Sequence, residues 1–549
     1  MTTSRTVARD LAPGALEIPD LRMPEYVLGN ARSRGTQTAL VEADTGRQIS
    51  YAALADAVSA AAAWLANAGV RPGDVVALCA PNSIEFVVAF HAASTTGAVL
   101  TAVNHVFTEE EIIAQLRRTG ARWLVTTDSL FTGKLGAAAR QLSGLAGTFV
   151  LGPGPGPTAA GRGHGPAARR FDPLGLGPQR ADGKPLRTGL SPDDVAFLPT
   201  SSGTTGRPKT VVLTHRSLVT NLCQVITAQR ADHGDVSLSL APMFGIYGIQ
   251  ASVNAALVRG ATIVIMPRFE LGAFLRAIQD YDVTRVEVVP PVAVLLAKSE
   301  LVDDVDLSSL RLLVCAAAPL SADVARVCAR RLGVRVYQAY GMTEAAGATH
   351  HGFDAGPDHP DSVGPALPGV ECRIIDLDGG ADAGPGQPGE LLIRTPSLMS
   401  GYLNDPEATA AAIDADGWYH TGDVVTVDAD GWYRVTDRIK ELIKTDGLQV
   451  APAQLEDILL THPSVADVAV VRSPDESAGE VPKAFVVRKP GVAPASAEEL
   501  MTWVATRVAP YKWVRRVEFT DSIPKNATGK ILRRELAERE YQAQREPRA

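Results

Sequence analysis

Residues 197–215, FLPTSSGTTGRPKTVVLTH, hold the densest set of groups able to do chemistry. Thr200, Ser201, Ser202, Thr204 and Thr205 offer hydroxyl donors, and Lys209 adds an ammonium. Gly203 and Gly206 let the backbone bend and approach a guest closely. Such a set suits an anion, and phosphate is the obvious guest. It is not a Walker A loop, which places Gly directly before the Lys and a helix directly after it. Here Pro208 precedes Lys209 and β-branched residues follow. A second cation, Lys530, ends the turn Ala527-Thr528-Gly529. A long cation on the tip of a glycine-containing turn can be inserted into a closed site and withdrawn.

Two apolar runs, Val195–Leu198 and Val211–Leu213, predict a strand on either side of the first loop. Upstream, the spacing predicts a helix over 50–66 with Ser50 as N-cap, then strand Val75–Cys79, helix Ile84–Ala93 and strand Ala98–Val103. Helix Glu109–Thr119 and strand Trp123–Thr126 follow. Residues 152–189, rich in Gly, Pro, Ala and Arg, predict a loop. The alternation resumes with strand Ala261–Met266, helix Leu271–Tyr281, strand Val286–Val289 and a helix from Val292. Strand Leu310–Cys315, helix Ala322–Leu332 and strand Arg335–Gln338 complete it. This order predicts an α/β domain with mostly parallel sheets. Short strands with Asp-Gly and Gly-Gly turns over 370–435 predict a small antiparallel region. The pattern divides the chain into a large domain, 1–436, a junction at 437–440 and a small α+β domain, 441–549.

The chain has 549 residues, of which 46% are hydrophobic, enough for more than one core. Its formal net charge of −8 argues against a nucleic-acid partner, which would need a basic face. Cys79, Cys223, Cys315, Cys328 and Cys372 show no metal-ligand or disulfide spacing and read as buried thiols of a reducing compartment. The most apolar stretch, Phe86–Val103, is broken by His91, Ser94, Thr95, Thr96 and Gly97, which predicts no membrane insertion. The first twenty residues hold no signal-peptide core, so a cytoplasmic location is expected.

Four more stretches stand in order after the phosphate loop: YQAYGMTEAAG (337–347), GWYHTGD (417–423), DRIKELIKTDGLQVAPAQLE (437–456) and PKNATGK (524–530). Together they resemble the signatures of the adenylate-forming acid–CoA ligase superfamily, and residues 275–345 resemble 4-coumarate–CoA ligases. The resemblance implies that a carboxylate attacks the α-phosphate of ATP, expelling pyrophosphate, and that CoA then takes the acyl group. Two anions must meet, so cations and oriented donors are required. It implies that Ser201, Ser202, Gly203, Thr204, Thr205 and Lys209 hold the β- and γ-phosphates, that Glu344 binds Mg²⁺ and that Thr343 meets the α-phosphate. Gln338, Ala339 and Tyr340 resemble adenine walls, as do residues 316–319; Asp423 and Arg438 resemble ribose contacts. Lys530 is similar to the lysine that bridges carboxylate and α-phosphate. Lys440 matches a hinge about which the small domain rotates between half-reactions. Lys444 and Gln449 match residues that this domain brings to the adenylate. A homodimer fits the family.

The acid pocket carries departures. Gly245 stands where coumarate ligases have His, Ala316 where Gly is usual and Glu287 where an apolar residue is usual, while Tyr247 lies in the same pocket stretch. Arg285 and Glu287 share a strand face and can pair with each other, or Glu287 can meet a polar group on the substrate. Arg268 resembles a CoA-phosphate contact. Asp446-Gly447 replaces a Lys-Gly that meets CoA, and an anion beside a polyphosphate is unfavourable. The leading expectation is activation of an aryl or arylpropenoic acid and transfer to CoA. The alternative is another acceptor: a carrier protein, or the reaction of an ATP-dependent diazotase that activates nitrite for an aminoaryl acid. A non-catalytic nucleotide binder is disfavoured because Lys530, Glu344 and the phosphate loop are all intact.

Overall fold

The computed structural model describes residues 16–153, 168–176, 189–201, 208–228, 234–352, 359–377, 380–445, 448–475, 477–526 and 530–545. Ser202, Gly203, Thr204, Thr205, Asp446 and Gly447 lie outside the described residues, as does the turn 527–529.

Two large sheets build the first part of the chain. One has the strand order Gly347–His351, Arg335–Met342, Leu312–Cys315, Arg285–Val288, Val236–Ser239, Thr262–Ile265, Thr38–Glu42 and Gln48–Ser50. Its inner pairs are parallel and both edge strands are antiparallel. The other runs from Gly401–Tyr402 through Lys209–Thr214, Val195–Phe197, Val99–Ala102, Val75–Cys79, Trp123–Thr127 and Gly147–Leu151 to Ala168–Phe171. The predicted α/β class therefore holds. Side chains from both sheets meet helices Ile84–Thr95 and His215–Ala228 in one buried cluster. On strand Arg285–Val288, Val286 and Val288 face an outer cluster with Phe274, Ile278 and Leu296. Side chains alternate across a strand, so Arg285 and Glu287 face the opposite, inner side.

Local chemistry sets the helix ends. Thr108 and Glu111 form a reciprocal capping box at the start of Glu109–Thr119, and Gly120 closes it at φ 65°. Ser50 caps Tyr51–Ala68 as expected. The helix expected from Val292 opens two residues earlier, at Pro290, because a first-turn proline loses no helical hydrogen bond.

One reading is corrected. Residues 168–171 were expected in a loop but form a strand parallel to Gly147–Leu151. Phe171 there stacks on Trp64 at 4.8 Å, so a single buried aromatic anchors a segment whose arginines mask any alternation.

Strands Glu371–Ile375, Gly389–Arg394, Tyr419–Val427 and Tyr433–Arg438 make the predicted antiparallel sheet. The last part of the chain has its own sheet, built on the long hairpin Val465–Asp475 and Gly479–Arg488, with helices Pro452–Leu460 and Ala497–Ala505 on its core. A closing helix, Arg533–Arg545, was not signalled by the pattern. All five cysteines are buried and unpaired. Among the described residues no helix is long and apolar enough to cross a membrane.

Candidate active site

Strand pairing sets Ser201 directly opposite Lys209 and Thr200 opposite Thr210, at the two ends of the glycine-rich stretch. The hydroxyls of Thr200, Ser201 and Thr210 are buried with no hydrogen-bond partner among the described residues. Leaving buried hydroxyls unpaired is costly. Beside an ammonium they are donors awaiting an anion, which is the donor set a polyphosphate requires. Lys209 Nζ lies 4.5 Å from the centre of the Tyr402 ring, a cation–π contact that fixes the ammonium while leaving its protons available.

Tyr402 also donates from its hydroxyl to Glu344 Oε1 at 3.0 Å, and the Tyr419 hydroxyl stands 3.5 Å from that of Tyr402. Glu344 is buried in the short helical turn Thr343–Ala345, and Thr343 beside it is half-buried. Burial, then the Glu344 charge, pushes the Tyr402 phenol well above the ordinary tyrosine range, so it remains a donor. No pattern in the sequence pointed to Tyr402. Among the described residues no cluster of three or more His, Cys, Asp or Glu side chains could hold a metal unaided. A lone carboxylate suits Mg²⁺ that arrives on ATP phosphates and keeps several waters.

A second group gathers where strand Tyr419–Val427 meets strand Tyr433–Arg438. Asp423 pairs with Arg438 across these strands, and the Arg438 Nε lies 3.0 Å from Asp423 Oδ1. Tyr340 donates its hydroxyl to Asp423 Oδ2 at 2.6 Å. Ala339 is half-buried beside it, and Ala316 lies at the end of the neighbouring strand Leu312–Cys315. Ala317 takes a left-handed φ of 74°, backbone strain at the wall expected to hold adenine. Gln338 departs from expectation. Its side-chain amide is committed to Leu320 and Pro360, so it shapes the wall and offers the site no free amide.

Lys530 is brought to this group. Burial, then the Arg438 charge, lowers its ammonium pKa, while Glu441 and Asp423 oppose that shift. Two bonds tie its backbone to Asn526: Lys530 N donates to Asn526 Oδ1, and Asn526 N donates to Lys530 O, both at 2.9 Å. Arg533, three residues on, reaches Glu441 and Glu456 at 2.6 Å each and ties the same segment to the small sheet's helix. Sequence reasoning missed this arginine because its partners lie far along the chain. Lys444, by contrast, is exposed on a small-domain strand, with Gln449 as its cross-strand neighbour. Gln449 Oε1 is buried without a partner among the described residues. Lys440 is exposed at the junction. The structure thus brings Lys530, not Lys444, to Asp423 and Arg438.

The junction is acidic. Asp437 accepts from the backbone of Arg438 at 2.7 Å and of Ala453 at 3.0 Å, and burial pushes its carboxyl up to about 6. Burial, then Glu456, Asp323 and Asp437, raises Asp457 to about 7. Asp323 belongs to the large part of the chain, so docking itself brings like charges together. An acid raised this way binds more protons folded than unfolded. Its contribution to stability is therefore lost as pH rises from the ordinary aspartate range to about 7. In Asp457→Asn the fall in Tm from pH 5 to 8 should be smaller than in the parent protein. Superimposable Tm–pH curves would remove Asp457 from the account.

In the acid-pocket stretch, Gly245 and Tyr247 are half-buried. Tyr247 donates to the Val288 carbonyl at 3.3 Å. Glu287 is engaged by Arg285 at 2.5 Å and by Ser237 at 3.1 Å, so the two charges pair with each other. Arg268 is exposed.

Residues 29–403 match the family model described as AMP-binding enzyme, and 454–530 match the AMP-binding enzyme C-terminal domain. A 4-coumarate–CoA ligase 2 of Oryza sativa subsp. japonica is 40% identical, covering 97% of this chain and 94% of the rice protein. The anthranilate CoA ligase AuaEII, solved with anthranoyl-AMP, superposes with a TM-score of 0.84 at 26% identity, covering 96% of this chain and 98% of that one. The amide bond synthetase McbA of Marinactinospora thermotolerans gives 0.81 at 28% identity, covering 93% and 99%. With both halves of the family model matched in order, the chain belongs to the AMP-binding enzyme family and is an AMP-forming ligase.

Proposed function

We propose that this ligase activates an aryl or arylpropenoic carboxylic acid with ATP and passes the acyl group to the thiol of CoA. The observation that carries the first step is the convergence of Lys530, Arg438, Asp423 and Tyr340, with Glu344 and Lys209 both held by Tyr402. In this reading Ser201, Ser202, Gly203, Thr204, Thr205 and Lys209 hold the β- and γ-phosphates, and Asp423 and Arg438 hold the ribose. Thr343 and Lys530 face the α-phosphate. Glu344 supplies the protein's oxygen to Mg²⁺, which neutralises phosphate charge when bound. A substrate carboxylate oxygen bonds to the α-phosphorus as pyrophosphate leaves. The domains are read as 1–436, a hinge at 437–440 and 441–549, and rotation about Lys440 exchanges Lys530 for Lys444 and Gln449 in the second step.

The identity, coverage and names of the relatives support an acid–CoA ligase; AuaEII and the rice enzyme both act on aromatic acids by name. Gly245, Tyr247, Ala316 and Glu287 line the acid pocket in this reading, and Arg268 and Gly447 approach CoA. The test is a mass-spectrometric product assay with MgATP and cinnamic, benzoic, aminoaryl and fatty acids, with CoA, with nitrite, or with neither. An acid-dependent acyl-CoA together with AMP is expected. AMP formed only with nitrite and an aryl amine, without a thioester, would overturn the CoA reading.

A further inference from the structure

Ligands of open parallel sheets collect beyond the carboxyl ends of strands. Three such loops converge here. Residues 104–107 follow strand Val99–Ala102, residues 241–247 follow Val236–Ser239, and residues 266–268 follow Thr262–Ile265. Asn82 ties two of them: its amide donates to the carbonyls of Ala241 at 3.1 Å and Met266 at 3.3 Å and accepts from Met243 N at 2.9 Å.

His105 sits at this convergence. Its ring meets that of Phe244 edge-on, with centroids 6.4 Å apart, next to Gly245 of the acid-pocket stretch. The backbone that carries it is pinned. Lys134 Nζ donates to the carbonyls of His105 at 2.7 Å and Phe107 at 2.6 Å, and Asn104 Oδ1 accepts from Val106 N at 3.1 Å. The ring is half-buried, and its Nδ1 is buried with no hydrogen-bond partner among the described residues. A buried imidazole nitrogen held in place without a partner can pair with a substrate group that enters beside it. Gly245 leaves the space beside it open, since a Cβ there would meet only the Pro242 carbonyl at an ordinary 3.6 Å.

We propose that His105 is the proton acceptor for the thiol in the second half-reaction, a role that rests on the CoA reading above. Sulfur bonds to the acyl carbonyl carbon, the thiol proton passes to the imidazole, and the carbon–oxygen bond to AMP breaks with its electron pair leaving on AMP. Burial, then the charges of Lys134 and Arg268, holds the His105 pKa below the ordinary imidazole value, so the ring is neutral and basic at pH 7. The same two cations favour the thiolate as it develops.

The test uses the full-length enzyme, with His105→Ala and His105→Gln compared in each half-reaction. Pyrophosphate exchange should stay within about twofold of the parent, while single-turnover thioester formation at pH 7 falls about 10²-fold. The deficit should narrow towards pH 9, where a free thiol of pKa about 8.5 ionises unaided, and added imidazole should restore part of the rate in His105→Ala. Variants that form thioester at the parent rate and with its pH profile would overturn the role of His105 alone. Equal losses in both half-reactions would mark a structural residue and also overturn it. A parent enzyme that makes acyl-adenylate but no thioester would remove the CoA reading, and this role with it.

Discussion

Lys530→Ala should lower pyrophosphate exchange by about 10²–10³-fold and leave thioester formation from supplied acyl-adenylate near the parent rate. The split follows from where the side chain stands. Attack of a carboxylate on the α-phosphate concentrates negative charge on oxygens that a substrate anion must also approach. Among the other cations of the candidate site, Arg438 is already paired with Asp423, and Lys209 stands over the Tyr402 ring. Lys530 is held between Arg438, which disfavours its charge, and Asp423 and Glu441, which favour it. An ammonium in that position gains most from new negative charge, which is the condition for selective transition-state stabilisation. The second step needs no charge at the α-phosphate beyond what AMP already carries. Lys530→Arg should recover little, because a planar fork replaces a point charge on a backbone tied to Asn526. Equal slowing of both half-reactions by Lys530→Ala would mean that the residue supports the small domain and takes no direct part in adenylation.

Lys209, the Glu344 turn and Lys530 could be picked out in the sequence because each lies in a local run of residues whose chemistry is unusual for a surface, whereas residues 202–207 and 527–529 lie outside the described residues. Helix Glu109–Thr119 was legible to the residue because Thr108, Glu111 and Gly120 fix both ends locally. Helix His215–Ala228 left no clear apolar stripe: Ser217, Thr220, Asn221 and Gln224 are among its buried residues, and Asn221 and Gln224 are satisfied by backbone carbonyls 127 and 144 residues away. Nothing local encodes such partners. The same holds for Tyr402, which links Glu344 to Lys209, and for Arg533, whose carboxylates come from two other segments. His105 was passed over for a related reason. A single histidine in a loop acquires meaning only when two other strand ends bring Phe244 and Arg268 towards it.

Arg285 and Glu287 invite the largest stability effect. Their side chains are 6% and 3% exposed, on the inner face of a central strand, where Glu287 accepts hydrogen bonds from Arg285 and Ser237 and its charge also acts on the buried Arg259. Arg285→Met should cost about 3–5 kcal/mol, because it removes the hydrogen-bonded cation from a carboxylate that water cannot reach. Arg285→Met/Glu287→Leu should recover part of that loss, since an apolar pair of similar volume leaves no buried carboxylate, while the buried Arg259 gives up the Glu287 charge. Denaturant unfolding measures both values. Destabilisation of the double variant by as much as the single one would mean that packing, and not the stranded charge, sets the cost. The pair also touches function through Tyr247, whose phenol is pushed well above its ordinary range by burial and then by the Glu287 charge. If Glu287 sets the polarity of the acid pocket, the folded double variant should keep MgATP-dependent pyrophosphate exchange while shifting preference from hydroxylated or aminated acids towards unsubstituted ones. A double variant with the parent's ranking of acids would confine the pair to the core. A buried ion pair is a poor source of stability compared with apolar packing, so its presence beneath a substrate pocket is better explained by what the pocket must tolerate than by what the fold requires.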